Sequence, residues 1–170
     1  MSKKAVSDIK EYKSELITSV SDTSDNSQTE EIPGENYKIR ESVIDGTGYI
    51  GTLYIEKLQL ELPVQSICDD TNMLNGPCRY SGDSSDNLII AAHNFDAHFG
   101  RLKELSDGDK VVFEDIGGRR FEYELVRSEK LGPSEISNMI ENNPALTLFT
   151  CTPGGKNRAV YRFSICCGET

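Results

Sequence analysis

From residue 49 to residue 165 the apolar positions recur mostly with a period of two. Leu58, Leu60, Leu62 and Val64 alternate with Gln59, Glu61 and Pro63, as in a strand with one face in a core and the other in water. Pro63 has no N–H to give to a ladder, which confines that strand to a sheet edge or to its own end. Further segments that read as strands are 49–55, 88–92, 110–114, 120–126, 146–150 and 158–165, separated by clusters of Gly, Asp, Ser and Asn. Asp115-Ile116-Gly117-Gly118 reads as a hairpin turn, because glycine reaches positive φ without a Cβ clash. Helical signal is thin: short pieces at 10–17, 72–75 and 99–105, and one at 133–140 where Pro133 or Ser134 opens a turn. The chain is therefore all-β. About 120 residues in seven or eight short strands predict a closed or nearly closed barrel, since closure removes exposed edges. A sandwich is the alternative.

The N-terminal part breaks this pattern. Residues 19–31 hold one apolar residue, four acids and no base, too little apolar surface to offset the entropy of ordering the segment. They read as a tether, and Pro33-Gly34 marks the approach to the folded part, which is expected to start between residues 36 and 49. The division is a polar segment, 1–48, and a barrel, 49–170.

Charge and composition remove several function classes. With 28 Asp and Glu against 18 Lys and Arg, the net charge of −10 repels a phosphate backbone, so nucleic acid is not an expected partner. The longest pure apolar run is 88–92, far short of the roughly 18 residues that span a bilayer, so any membrane anchor lies outside this chain. The first residues lack the apolar core of a secretory signal, which leaves open a cytosolic protein and one trimmed of its export segment. Of the five cysteines at least one must stay outside any intramolecular disulfide. Their spacing fits no zinc pattern, and His93 and His98 are the chain's two imidazoles, so no metal site is expected. Cys68 and Cys78 bracket nine residues and are candidates for a bridge in an exported protein, although sequence does not fix their distance. Cys166 and Cys167 read as ordinary residues at the end of the last strand, facing opposite ways.

Three residues stand where chemistry is feasible. Cys151 ends the 146–150 strand and precedes Thr152-Pro153-Gly154-Gly155, which must turn, so its thiol sits at a sheet rim. His93 directly follows the apolar strand 88–92. Arg158 and Arg162 lie on one face of the next strand, with Val160. Taken singly, a cysteine is usually a small buried hydrophobe, a histidine a structural residue and a strand arginine a solvated or ion-paired one.

Together they form a constellation. Thr147-Leu148-Phe149-Thr150-Cys151 fits the T-L-x-T-C motif of sortases, the cysteine transpeptidases of Gram-positive cell surfaces. Leu62-Pro63-Val64 resembles that family's early strand, Ile90-Ala91-Ala92-His93-Asn94 its histidine strand, and Arg158 falls a short loop after the cysteine. The resemblance runs from residue 49 to 165 in the family's order. It implies an eight-stranded β-barrel in which cysteine, histidine and arginine line a groove for an extended sorting signal such as L-P-x-T-G.

Carried over residue by residue, the resemblance makes Cys151 the nucleophile that forms a thioester. A free cysteine has a pKa of about 8.5, so nearby positive charge raises the reactive thiolate fraction. His93 becomes the acid for the departing amine and the base for the incoming one. Arg158 becomes the donor to the oxyanion or the clamp on the substrate backbone, with Arg162 as the competing assignment. Thr150 and Asn94 are candidate substrate-binding residues, while His98 reads as a loop residue and not a second base. Some sortases use calcium; the loop acids Asp69, Asp70, Asp83, Asp86, Asp107 and Asp109 do not fit an EF-hand and read mostly as solvation, so no cofactor is expected, with calcium as the alternative the resemblance leaves open.

The implied partners are a sorting-signal peptide of surface proteins or pilins and an amine acceptor such as a peptidoglycan precursor or a pilin lysine. The implied place is the extracellular face of the cytoplasmic membrane of a Gram-positive bacterium, with the tether reaching on the order of 20 Å. The competing readings are a cysteine hydrolase of the same fold that does not transfer, and a non-catalytic peptide-binding barrel.

Overall fold

The computed structural model describes residues 41–83, 86–135 and 145–166. The expected helix at 10–17, the tether at 19–31, most of the segment 133–140 and Cys167 lie outside the described residues. Among the described residues the strands are β1 (Ser42–Ile44), β2 (Thr47–Ile55), β3 (Leu60–Gln65), β4 (Cys78–Asp83), β5 (Asp86–Ala91), β6 (Lys110–Asp115), β7 (Arg120–Leu131), β8 (Leu146–Cys151) and β9 (Arg158–Ile165). They form one sheet in the order β1-β2-β3-β4-β5-β8-β9-β7-β6. Pairing of β6 back onto β2 closes it, so that β2 to β9 make an eight-stranded barrel and β1 is left outside on the first half of β2. Closure settles the choice between barrel and sandwich.

Closure is carried by β2, which is long enough to serve partners on both edges: Leu53 pairs with Leu62 on one side and Phe113 on the other. Leu53, Leu62 and Phe113 are all buried, and the alternation of β6 puts Val111 beside Phe113 in the same core. Strands β5, β8 and β9 are buried on both faces. Leu88, Ile90, Leu146, Leu148, Tyr161 and Phe163 fill the main core, while Ile89, Ala91, Phe149 and Val160 pack outward with Cys78, Leu131, Cys68 and Met73. This second layer explains why 88–92 and 146–149 read as unbroken apolar runs instead of alternating ones. It also lays the floor of the site described below.

Several elements depart from the sequence pattern for identifiable reasons. The period-two run at 58–64 is not one strand. Glu56–Leu58 forms a 3-10 turn that drops Leu58 into the core, Gln59 adopts a left-handed φ of 55°, and β3 begins at Leu60. Pro63 is tolerated because β3 is laddered along its length to β2 alone, meeting β4 at the single pair Gln65–Cys78. Strand β7 runs to Leu131, beyond the expected residue 126, because its polar stretch stays laddered to β9. Strand β1 joins β2 through Asp45-Gly46, a two-residue turn with both φ positive. The hairpin at 115–118 forms as expected: Gly118 has φ 87° and its N–H donates to the Asp115 carbonyl at 3.0 Å.

The 72–75 helix is a slightly longer one, α1 (Asp70–Asn75), in the β3–β4 connection. The Asp69 carboxylate caps it, accepting from the Asn72 N–H at 2.7 Å. None of its residues is fully buried, and the half-buried Met73 packed on the outer cluster does not by itself hold it. A disulfide between Cys68 and Cys78 does, settling the pairing that sequence left open. Gln65 helps: its buried side-chain amide donates to the Asn72 carbonyl at 2.6 Å and the Gly76 carbonyl at 3.2 Å.

Candidate active site

The site is assembled at one end of three adjacent strands. Strands β5 and β8 run parallel with Ala91 opposite Phe149, and the Ala92 N–H donates to the Phe149 carbonyl at 3.2 Å, extending the pairing by one residue. In that register His93 comes level with Cys151. Strands β8 and β9 are antiparallel, with Cys151 paired directly to Arg158. Main-chain ladders therefore bring the thiol, the imidazole and the guanidinium to neighbouring strand ends, although they are far apart in sequence.

The loop between Cys151 and Arg158 is tied at its neck. Thr152 N–H donates to the Asn157 carbonyl at 3.0 Å, Asn157 N–H to the Thr152 hydroxyl at 3.3 Å, and Gly155 N–H to the Thr152 carbonyl at 2.8 Å. The Arg158 guanidinium donates weakly to the Gly155 and Asn157 carbonyls at 3.3 and 3.4 Å, leaving it over the turn beside Cys151. Cys151 is a free, half-buried cysteine.

Cys151, Thr150 and Arg158 line a groove of about 260 Å³. Its floor is Ala91, Ala92 and Phe149, the last held by an edge-on contact with Tyr80, ring centroids 5.2 Å apart. Its far wall is Cys68, Asp69, Asp70 and Met73, from α1 and the residues just before it. Ile67, Leu74 and Tyr80 leave large apolar surface exposed around this end of the molecule. A larger hollow of about 490 Å³ crosses β2, β3, β6 and β7. It holds neither thiol nor imidazole, and Lys110 and Glu122 in its lining are paired to each other.

The expected site residues distribute unevenly around the groove. Thr150 is buried and its hydroxyl oxygen has no hydrogen-bond partner, although it lines the groove. His93 is not in the lining; it follows Ala92 at the edge and is half-buried. Asn94 is exposed on the loop beyond it and is also outside the lining. Arg162 faces away from this chemistry: it is 1% exposed, with Nε 3.0 Å from a Glu129 oxygen and Nη1 donating to the Thr147 hydroxyl at 3.0 Å. Of the two arginines, Arg158 is the one at the groove.

The loop after His93 is built tightly. The Phe99 N–H donates to the His93 carbonyl at 3.1 Å, and the His98 and Gly100 N–H groups both donate to the Phe95 carbonyl at 2.9 Å. Gly100 lies so close to the Asn94 carbonyl that a Cβ there would collide with it. Phe99 is anchored in the core. His98 is buried, and burial first, with the nearby His93 second, holds its imidazole below the usual histidine range. Sequence reasoning treated His98 as a plain loop residue and passed over Phe95, whose ring lies between the two histidines.

Two of the loop acids have local partners. Asp69 caps α1, and Asp109 accepts from Lys57 Nζ at 2.7 Å and the Ser106 N–H at 2.6 Å. Among the described residues no three His, Cys, Asp or Glu side chains cluster as metal ligands would. No helix among the described residues is long and apolar enough to cross a membrane.

A family model, the sortase domain, matches residues 53–167. A search of curated proteins finds no match. Among solved structures, the Clostridium perfringens sortase D5 transpeptidase is similar with a TM-score of 0.68 at 18% identity, over 97% of this chain and 98% of that one. Sortase A from Corynebacterium diphtheriae is similar with a TM-score of 0.64 at 19% identity, over 71% of this chain and 62% of that one. Streptococcus agalactiae sortase C1, in complex with MTSET, gives 0.62 at 20% identity, over 72% and 71%. At these identities the structural likenesses speak to the fold, and the family assignment rests on the domain match.

Proposed function

This chain belongs to the sortase family of cysteine transpeptidases, and from that premise we propose that Cys151, His93 and Arg158 carry its reaction. The observation that supports this reading is the register: Cys151 is paired with Arg158, and β5 delivers His93 level with both. The Cys151 thiolate attacks the carbonyl carbon of the scissile peptide bond, and the carbonyl oxygen takes the negative charge. Arg158 donates to that oxygen with a fork of donors that stays charged at any working pH. His93 gives its proton to the departing amine, leaving a thioester on Cys151. An incoming amine then loses a proton to His93 and displaces the thiolate, so one imidazole serves both halves. The Thr150 hydroxyl, buried beside the groove without a partner, is assigned to the substrate backbone, and Asn94, exposed on the loop after His93, is the second candidate contact.

Sortases act at the cell surface of Gram-positive bacteria on sorting-signal peptides, with amines as acceptors. For this chain we take the substrate to be an L-P-x-T-G-like signal of a surface protein or pilin, and the acceptor a peptidoglycan-precursor amine or a pilin lysine. The experiment is to incubate the protein with signal pentapeptides extended by a leaving segment, with and without oligoglycine, and to analyse products by mass spectrometry. Cleavage with glycine captured on the new C-terminus, lost in Cys151→Ala and His93→Ala, supports the reading. Cleavage that persists in Cys151→Ala refutes it, and cleavage with no capture of oligoglycine, a lysine amine or hydroxylamine makes the protein a hydrolase.

A further inference from the structure

The His93 imidazole is carried on a loop residue just past the end of β5, and something must hold its ring. The Phe95 ring stacks on it with centroids 5.1 Å apart and planes 24° from parallel. Behind Phe95 stands the His98 ring, at 5.5 Å and 44°. His98 is buried, its Nδ1 lacks a hydrogen-bond partner, and its backbone N–H is bound to the Phe95 carbonyl. Phe95 itself is 49% exposed, and the two imidazoles are its aromatic contacts. The three rings make one pile whose far member is fixed by the core-anchored loop and whose near member is His93.

From this pile we infer that Phe95 is a positioning residue, its ring face holding the His93 imidazole at the groove edge. The inference rests on the reading of His93 as acid and base. Stacking of two flat rings fixes the tilt of each, and a proton donor must be held within reach of the atom it serves. The backing ring suits this task. Burial holds the His98 imidazole below the usual histidine range, which disfavours a second positive charge close behind His93 while the ring steadies Phe95.

The test uses Phe95→Ala, Phe95→Leu and Phe95→Tyr, with His93→Ala alongside. Because the chain has two histidines, both imidazoles can be followed by NMR and told apart with His98→Gln. Phe95→Leu keeps apolar cover and loses the ring face. It should move the His93 ring resonances as the ring current of the stacked Phe95 is lost and cut kcat by about three- to tenfold with little change in KM, as should Phe95→Ala. Phe95→Tyr should restore both quantities. A Phe95→Leu protein that keeps the parent's His93 resonances and turnover overturns the inference, as does a loss confined to KM, which would make Phe95 a substrate contact. If His93→Ala keeps full activity, the catalytic reading itself fails, an outcome distinct from a normal Phe95→Leu beside a dead His93→Ala.

Discussion

Thr147 and Thr150 sit three residues apart in one motif, and their surroundings predict opposite consequences for the same substitution. Thr147 is fully buried and its hydroxyl accepts from Arg162 Nη1 at 3.0 Å. Valine at 147 keeps the shape and removes the acceptor. Arg162 is 1% exposed, so no water replaces that acceptor, and losing a buried hydrogen bond from a charged donor costs about 1.5–3 kcal/mol. Glu129 still holds Nε and Nη2, each at 3.0 Å from Oε1, which keeps the loss well under the roughly 3–5 kcal/mol of a broken buried ion pair. Taking about 2 kcal/mol, and an unfolding entropy of about 0.25 kcal/mol/K for some 120 folded residues, Thr147→Val should lower Tm by about 8 °C. Its kcat/KM, measured well below Tm, should stay within about twofold of the parent. In Thr150→Val no bond is lost in the free protein, since that hydroxyl has no partner, so Tm should hold or rise slightly. If the hydroxyl bonds the substrate, worth about 0.5–1.5 kcal/mol, kcat/KM should drop by about two- to tenfold. Thermal unfolding by circular dichroism and turnover of a fluorogenic signal peptide read the two effects separately. A Thr147→Val protein melting within about 2 °C of the parent would refute the buried-network argument. A Thr150→Val protein that loses stability but not rate would refute the groove argument.

Other consequences follow from the same contacts. Replacing Cys68 and Cys78 by serine frees a loop of ten-residue separation, which the chain-entropy relation sets at about 3 kcal/mol. Because that loop carries one groove wall, the KM for a signal peptide should rise several-fold while iodoacetamide labelling of Cys151 keeps its rate; unchanged KM with the bridge removed would count against the wall. Arg158→Lys keeps the charge and loses the planar fork, so kcat should drop on the order of 10²- to 10³-fold with Tm unchanged, and a near-normal kcat would remove Arg158 from the oxyanion role. His98 gives a pH signature. Its imidazole is held below the ordinary 6.5 in the folded state, first by burial and then by His93, so below pH 6.5 the unfolded chain takes up a proton that the folded one refuses. Its contribution leaves stability intact above that pH and lowers it as pH falls toward the depressed folded value. In urea unfolding between about pH 5 and 7.5, His98→Gln should lose less stability toward acid than the parent; equal slopes would show that His98 is not the group responsible.

The strands that sequence showed plainly are those whose apolar residues face a core. Lys110–Asp115 and Arg158–Ile165 were legible almost to the residue. The strands that escaped are held by backbone pairing with little help from side-chain pattern. Cys78–Asp83 carries polar residues and a glycine, and its register to β5 shifts twice, so no alternation survives. Ser42–Ile44 is short, and its signal was the Asp45-Gly46 turn rather than the strand itself. The polar end of β7 looked like a loop because its partner for Arg162, Glu129, is a buried-network residue dressed as a surface one. In the site, Cys151 and Arg158 could be named because each terminates a strand that reads clearly. Phe95 could not: it lies in an irregular loop, and only three-dimensional stacking marks it. The choice between Arg158 and Arg162 likewise needed burial, since both lie on one face of β9.

Floor and wall of the groove are held by different forces, and this shapes how each can vary. The floor is set by main-chain ladders. A slip of one residue between β8 and β9 would set Cys151 opposite Asn157 or Ala159 and separate it from Arg158, so their pairing is specified wherever the paired cores of β5, β8 and β9 stay intact. The wall has no such ladder. Helix α1 fully buries no residue and is held by one disulfide, one glutamine amide, one aspartate cap and the half-buried Met73, while β3 and β4 touch at a single pair. Substitutions there can reshape what the groove accepts without disturbing the residues proposed to react. Within this fold, recognition is therefore the property free to change, and chemistry the property bound to the barrel.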